Sequence, residues 1–75
     1  MTDWSQLNAT EKRYLWLEVV HAFTNAEVAK VHLTTPAAVA CTLNRARVKL
    51  GFDSVKDLRR AAATDRVFRA GGTRC

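Results

Sequence analysis

Hydrophobic residues recur along the chain with the three- and four-residue spacing that is typical of helices. The clearest example is the stripe of Val39, Leu43, Ala46 and Leu50, whose side chains would lie on one face of a helix. Sustained alternation of apolar and polar residues is missing, and so are the Asn-Gly and Asp-Gly pairs that are typical of hairpins. The pattern therefore predicts an all-α fold.

Capping motifs divide this pattern into helices. The first two motifs pair a capping side chain with a glutamate three residues later, and they are Asn8 with Glu11 and Thr24 with Glu27. They predict a first helix over about 9–22 and a short second helix with Val28 and Val31 on its inner side. The first helix carries too many apolar residues for one stripe, so we expect it to pack on more than one side.

The third helix opens at Thr35-Pro36 and the fourth at Ser54. Proline suits the first helical position, where an N–H would have no partner, and Gly51 suits a left-handed residue that closes the third helix. The inner side of the fourth helix consists of Val55, Leu58 and Ala62. The pattern fades after about residue 63, which predicts a frayed tail over 64–75. We therefore predict one domain over 1–75, a small four-helix bundle folded over about 7–63.

The predicted second and third helices are separated only by His32, Leu33 and Thr34. A turn of that length between two short helices is typical of a helix-turn-helix. The inward stripe of the third helix leaves its other residues to face outward or sideways, and these are Ala37, Ala38, Ala40, Cys41, Asn44, Arg45, Val48 and Lys49.

Composition narrows the function classes. A chain of 75 residues with 48% hydrophobic residues can form one small domain with a marginal core, for which a partner or a second copy would help. The net charge of +5 favours an acidic partner such as nucleic acid. The chain offers no nucleophile–base constellation, no glycine-rich phosphate loop and no paired-carboxylate motif. We therefore predict a protein that is not an enzyme and takes no cofactor and no small-molecule ligand.

Cysteine and histidine usage bears on compartment and metal binding. Two cysteines, Cys41 and Cys75, are too few for a disulfide scaffold and favour a reducing compartment. The two histidines, His21 and His32, lack the spacing of a zinc site. No apolar run approaches the roughly 20 residues of a membrane span, and the N-terminus is acidic where a signal peptide would be basic. We predict a soluble, cytoplasmic protein without a metal site and without a membrane partner.

Three segments, in order, resemble the LuxR/GerE-type helix-turn-helix domain. Residues 24–29, Thr-Asn-Ala-Glu-Val-Ala, resemble that family's Thr-Asn-x-Glu-Ile-Ala block. Thr35-Pro36 followed by Val39 resembles the start of its recognition helix, and residues 49–52, Lys-Leu-Gly-Phe, resemble its Lys-Leu-Gly ending. The resemblance covers about residues 7–62. Matching both ends of this range to the family pattern requires about one extra residue in the first helix. A resemblance to the fourth-region domain of sigma factors is weaker.

The resemblance implies a domain whose third helix, about 36–49, enters the DNA major groove, and whose fourth helix forms a two-fold dimer contact. It leads us to expect a small transcription regulator that binds double-stranded DNA as a homodimer. The expected DNA-binding residues are Thr24, Lys30, Thr35, Ala37, Ala38, Ala40, Cys41, Asn44, Arg45 and Lys49. The expected dimer or partner interface consists of Val55, Leu58, Arg59 and Ala62.

The chain departs from this family where the third helix would contact bases. The family usually has Thr, Lys and His around the inward valine, and this chain has Ala38, Ala40 and Thr42. Base recognition needs donors or acceptors that reach base edges, so this surface offers little beyond a contact to a thymine methyl group. The basic residues Arg45 and Arg47 lie in the second half of the helix, where phosphate contact is expected.

Two functions follow from these departures. In the first, the domain binds DNA chiefly through phosphates with weak sequence preference, and the positioning residues are Lys30, His32, Arg45 and Lys49. In the second, it is a helix-turn-helix-derived interaction protein whose smooth Ala/Cys face binds and modulates another transcription regulator or an RNA polymerase component. The basic residues of the third helix also fit an ordinary solvated helix end. The sequence leaves this choice open, since function depends on the site and not on the fold.

Overall fold

The computed structural model describes residues 2–71, and the regular structure in this range is entirely helical. A short 3-10 helix, Trp4–Gln6, precedes five α-helices, which are α1 (Ala9–Val20), α2 (Asn25–Val31), α3 (Pro36–Leu50), α4 (Val55–Thr64) and α5 (Arg66–Gly71). The predicted small all-α bundle is confirmed, with one α-helix more than the four predicted. Within residues 2–71, no helix has both the length and the apolar character that crossing a membrane requires.

Both predicted capping boxes form. Asn8 Oδ1 accepts a hydrogen bond from the Glu11 backbone N–H at 2.8 Å, and Glu11 Oε1 accepts one from the Asn8 N–H at 2.9 Å. Thr24 and Glu27 make the same reciprocal pair at the start of α2. Each box satisfies two backbone donors that a helix start would otherwise leave unpaired. The starts of α1 and α2 are therefore set by local sequence.

The ends of α3 and the start of α4 also follow the predicted motifs. Thr35 Oγ1 accepts from the Ala38 N–H at 3.1 Å, and Pro36 occupies the first turn of α3. Gly51 follows α3 with a left-handed φ of 79°, which glycine adopts without steric cost. Ser54 caps α4 through its side-chain oxygen.

Two residues other than glycine adopt a left-handed backbone conformation in the described range. Ala22 has a φ of 56° and Leu33 a φ of 55°. Ala22 follows the C-cap of α1, so this helix ends at Val20, two residues before the predicted end. Leu33 lies in the turn between α2 and α3. A side chain costs about 1–2 kcal/mol in this conformation, so both positions carry local strain.

Helix α1 lies at the centre of the packing and contacts α2, α3, α4 and α5. Its Leu15 is fully buried, as are Val28 of α2, Val39 and Leu43 of α3, and Leu58 of α4. The expectation that α1 packs on more than one side is confirmed, which explains why its apolar residues exceed a single stripe. The inward stripe predicted for α3 is also confirmed, since three of its members are buried and Leu50 packs against the core.

The segment 64–71 was predicted to be a frayed tail, and this prediction is wrong. Asp65 Oδ1 accepts from the backbone N–H groups of Val67 at 2.9 Å and Phe68 at 3.2 Å and so caps α5. Phe68 is only 2% exposed, and its ring centroid lies 4.5 Å from that of Trp4. The Trp4 indole N–H donates to Asp65 Oδ2 at 2.7 Å. The 3-10 helix and α5 therefore stabilise each other. Residues 72–75 of the predicted tail lie outside the described range.

Phe68→Ala should lower the free energy of unfolding by about 3–5 kcal/mol, because it removes a buried ring and leaves a cavity. Urea denaturation followed by circular dichroism measures this loss. Val67→Ala is the matched control, since Val67 lies on the same helix with a 74% exposed side chain, and its effect should stay within about 0.5 kcal/mol. Equal effects of the two substitutions would contradict the packing of α5 on the core.

Candidate nucleic-acid interface

The candidate interface is built by α2, α3 and the turn between them. The two helices pack against each other, and the turn is closed by backbone hydrogen bonds from Leu33 N–H to Lys30 O at 3.4 Å and from Thr34 N–H to Ala29 O at 2.9 Å. Their inner sides are buried. On their outer side, we give the name α2–α3 face to the exposed residues Lys30, Val31, Leu33, Thr35, Ala37, Ala38, Ala40, Cys41, Asn44 and Arg45. Glu27 is also exposed and lies one turn before Lys30 on α2.

The ten expected DNA-binding residues are all exposed. Eight of them belong to the α2–α3 face, and the other two are Thr24, the N-cap of α2, and Lys49, near the end of α3. The outward orientation predicted for one side of α3 is thus confirmed. Exposure alone does not show what each side chain can bind. The hydrogen bonds and ion pairs of the basic residues show which cations are already paired within the protein.

The segment 28–52 contains no acidic residue and four basic ones, which are Lys30, Arg45, Arg47 and Lys49. All seven Asp and Glu residues of the chain lie outside it. An excess of positive charge on a surface raises the local concentration of anionic partners. The net charge of the whole chain does not reveal this segment, because the seven acidic residues elsewhere offset the basic ones in the sum.

Lys49 forms an ion pair within the bundle. Its Nζ lies 2.8 Å from Oε1 of Glu11, a residue that is only 1% exposed. The same oxygen accepts the Asn8 N–H of the capping box. A carboxylate buried without a partner is costly, so Lys49 neutralises a charge inside the bundle. Its side chain keeps 41% exposure, but it differs from the free phosphate-binding lysine that the sequence led us to expect.

Arg47 is also held by the chain. Its Nη1 donates to the backbone oxygens of Phe52 at 3.1 Å and Asp53 at 3.4 Å, and its Nε donates to Asn44 Oδ1 at 2.9 Å. These bonds hold the loop that follows α3. Arg45 is exposed, and its nearest polar contact is Cys41 Sγ, 3.9 Å from Nη2.

Among residues 2–71, Lys30 and Arg45 take part in no ion pair, whereas Lys49 does. Lys30 lies in the last turn of α2 and Arg45 in the middle of α3. These two side chains are therefore the cations of the α2–α3 face that can bind an outside anion without disturbing the fold.

His32, which the sequence suggested as a phosphate-positioning residue, packs inward. Its ring centroid lies 4.9 Å from that of Tyr14 on α1, and its Nε2 is buried with no hydrogen-bond partner among the described residues. In this structure, Nε2 of the half-buried His32 is therefore shielded from an outside phosphate.

Two of the four residues predicted for a dimer or partner interface on α4 are not accessible in this fold. Leu58 and Ala62 are fully buried and lie on the helix that packs against α1, and Val55 is half-buried against the same core. Arg59 Nε donates to Glu18 Oε1 at 2.7 Å. A second copy could reach Leu58 or Ala62 only if the core opened, so their assignment to a surface contact is corrected to core packing.

Glu18 is the second buried carboxylate of α1, with 8% exposure. Its Oε1 pairs with Arg59, while its Oε2 is buried and has no hydrogen-bond partner among the described residues. Burial raises the pKa of Glu18, and the hydrogen bond and charge of Arg59 offset only part of that rise. Neither glutamate was predicted to be buried. Their spacing of seven residues within an apolar helix was the available sign, since it places both on one side of α1.

Comparison of the chain with protein-family models, with curated proteins and with solved structures finds no match. The functional proposal therefore depends on the α2–α3 face and its charges.

Lys49→Ala should lower the free energy of unfolding by about 1–3 kcal/mol, because Glu11 would stay buried without its cation. Arg45→Ala removes an exposed cation from the same helix and is the matched control, with an expected change within about 0.5 kcal/mol. Urea denaturation measures both. The pair Glu11→Gln with Lys49→Ala completes a double-mutant cycle, and additive effects in that cycle would contradict the ion pair.

Protonation of Glu18 should stabilise the fold. Because its pKa is raised in the folded state, the native protein holds this proton more tightly than the unfolded chain does. The stabilisation is complete below the ordinary value of 4.5 and is lost as the pH rises through the folded pKa. Glu18→Gln should therefore gain stability relative to the wild type between about pH 4 and pH 8. Urea denaturation across this range tests it, and a constant difference between the two proteins would contradict it.

Proposed function

We propose that the protein binds double-stranded DNA through the α2–α3 face, chiefly by contacts to backbone phosphates, and acts in transcription regulation. The observation that carries this proposal is the absence of carboxylates from 28–52 on a surface with exposed Lys30 and Arg45. Lysine and arginine side chains that neutralise phosphates release counterions condensed on the DNA, which is the main source of non-specific DNA affinity. The resemblance of the capping and helix-end segments to the LuxR/GerE-type domain supports the same function.

The outer side of α3 favours weak sequence preference. Its first half exposes Ala37, Ala38, Ala40 and Cys41, which lack the long donors and acceptors that distinguish base pairs. Asn44 has such a group, but its Oδ1 already accepts from Arg47. Phosphate contacts position a protein on the duplex without identifying bases, so we expect similar affinity for unrelated duplexes.

A homodimer through α4 is not part of this proposal, because Leu58 and Ala62 lie in the core. A single copy presents the whole α2–α3 face. Binding at one site per protein molecule is therefore the simplest expectation, and inverted-repeat recognition is not required.

Titration of a labelled duplex of roughly 20 base pairs, followed by fluorescence anisotropy, tests the proposal. The logarithm of the affinity should fall linearly with the logarithm of salt concentration between about 50 and 200 mM. Arg45→Ala and Lys30→Ala should each reduce the magnitude of that slope by about 1 and weaken unrelated sequences equally. Lys49 is unsuitable for this test because its loss also affects the fold.

The matched control is Arg66→Ala, which removes an exposed positive charge from α5 and leaves the α2–α3 face unchanged. It should leave the salt dependence as in the wild type. Absence of binding at about 50 mM salt, affinity independent of salt, or an equal loss from the Arg66 and Arg45 substitutions would contradict the proposed interface.

A further inference from the structure

An open cleft of about 450 Å³ lies where the end of α1, the start of α2 and the middle of α4 meet. Its volume falls within the range of about 300–1,000 Å³ that is typical of small-molecule sites. The residues that line it are Glu18, Phe23, Thr24, Asn25, Ala26 and Arg59. The sequence predicted no small-molecule ligand, because residues up to 41 positions apart come together only in the folded chain.

Three polar side chains that line this cleft are linked by hydrogen bonds. Arg59 Nε donates to Glu18 Oε1 at 2.7 Å, and Arg59 Nη2 donates to Asn25 Oδ1 at 3.4 Å. Arginine frequently pairs with both oxygens of a carboxylate through two parallel N–H groups. Here the second group of donors is directed to Asn25, and Glu18 Oε2 has no hydrogen-bond partner among the described residues. The carboxylate therefore lacks a donor, although its side chain is only 2% exposed.

The unpartnered oxygen indicates what kind of group would bind beside it. A buried acceptor without a donor is costly, and folded proteins satisfy nearly all such groups. Protonation of Glu18 would remove the charge, but the new O–H group would then need an acceptor of its own. A primary ammonium group suits a single carboxylate oxygen, because it is compact, positively charged and carries three donors.

Arg59 indicates a second group on the same ligand. Its side chain is 40% exposed, and its Nη1 makes no hydrogen bond to another described residue. A simple amine would place its charge near this guanidinium, and like charges repel. A ligand that also carries a carboxylate avoids this repulsion, because the carboxylate can accept from Arg59. Half-buried Phe23 adds an aromatic wall for an apolar group.

A larger cleft of about 540 Å³ beside α5 lacks such an unpartnered acceptor. Asp65 is the carboxylate in its lining. Its Oδ2 accepts from the indole of Trp4, and its Oδ1 accepts from the backbone N–H groups of Val67 and Phe68. Both oxygens are satisfied within the fold, so nothing there calls for a donor from outside.

We propose that the cleft at Glu18 and Arg59 binds a free α-amino acid with an apolar side chain. The ammonium group would donate to Glu18 Oε2, the carboxylate would accept from Arg59, and the side chain would pack against Phe23. An α-amino acid carries its two charges on one carbon, which suits a site whose own two charges lie 2.7 Å apart. The site lies outside the α2–α3 face, so the inference does not rest on DNA binding.

The test compares three probes that share a phenyl ring and differ in their charged groups. They are L-phenylalanine, phenethylamine, which lacks the carboxylate, and hydrocinnamate, which lacks the ammonium group. NMR titration of the wild-type protein measures the affinities and locates the contacts. We expect L-phenylalanine to bind at least about tenfold more tightly than either of the others and to shift the signals of Phe23, Asn25 and Arg59.

Glu18→Gln is the decisive variant, because it keeps the size of the side chain and should not destabilise the fold. It should weaken L-phenylalanine binding by at least about tenfold. Glu27→Gln is the matched control, since it removes the same charge from an exposed residue that is not part of the cleft lining, and glutamine also forms capping boxes. It should leave the affinity unchanged.

A second readout follows the carboxyl group itself. Burial raises the pKa of Glu18 in the free protein, and an ammonium group beside Oε2 should lower that pKa. The NMR chemical shift of the Glu18 carboxyl carbon, titrated with and without L-phenylalanine, measures this change. Hydrocinnamate should leave the pKa where it is.

Several results would overturn the inference. They are no binding of L-phenylalanine, equal affinity for the three probes, unchanged affinity after Glu18→Gln, and signal shifts confined to residues outside the cleft. Phenethylamine binding as tightly as L-phenylalanine would replace the amino acid with a simple amine and remove the role of Arg59. Failure of the DNA titration contradicts the proposed DNA binding and leaves the amino-acid result standing.

Discussion

Two buried glutamates on the central helix constrain how this bundle can pack, because a buried carboxylate needs a cation beside it. Glu11 and Glu18 lie seven residues apart on α1, and each is matched by one cation from a different helix, Lys49 from α3 and Arg59 from α4. Buried ion pairs contribute little net stability, but a single correct partner leaves few alternative packings for the helices that carry it. These pairs join α3 and α4 to α1, beside the apolar core that the same helices share. Both cations are therefore paired within the protein, although the sequence predicted Lys49 to bind DNA and Arg59 to lie in a dimer or partner interface.

The parts of the fold that depend on neighbouring residues could be predicted from the sequence. The capping boxes at Asn8 and Thr24, the Thr35-Pro36 start and the Gly51 end all involve residues within a few positions of each other. Helix α5 could not be predicted in this way, because its stability depends on Phe68 meeting Trp4 at the opposite end of the described chain. Asp65 is a residue type that is favoured at N-caps, but the segment after it is too short for hydrophobic periodicity to identify a helix.

In the candidate site too, features that depend on neighbouring residues could be predicted, and features that depend on residues distant in sequence could not. Periodicity correctly separated the exposed side of α3 from its buried stripe. It could not separate the cations, since whether a lysine is free or paired depends on carboxylates that are distant in sequence: Glu11 precedes Lys49 by 38 residues. For Leu58 and Ala62 the error is the opposite one. The resemblance to a known family placed these two side chains on the surface, whereas they lie in the core. The α2–α3 face therefore keeps fewer free charges than the sequence suggested and a larger share of small apolar groups.

The two tryptophans have a practical consequence for solution work. Trp4 bonds Asp65 and stacks against Phe68, and the indole N–H of Trp16 donates to the backbone oxygen of Arg69 at 2.8 Å. Both indoles of the protein thus contact the segment that forms α5 and its cap. Changes in intrinsic fluorescence should therefore report on the docking of this last helix against the rest of the bundle.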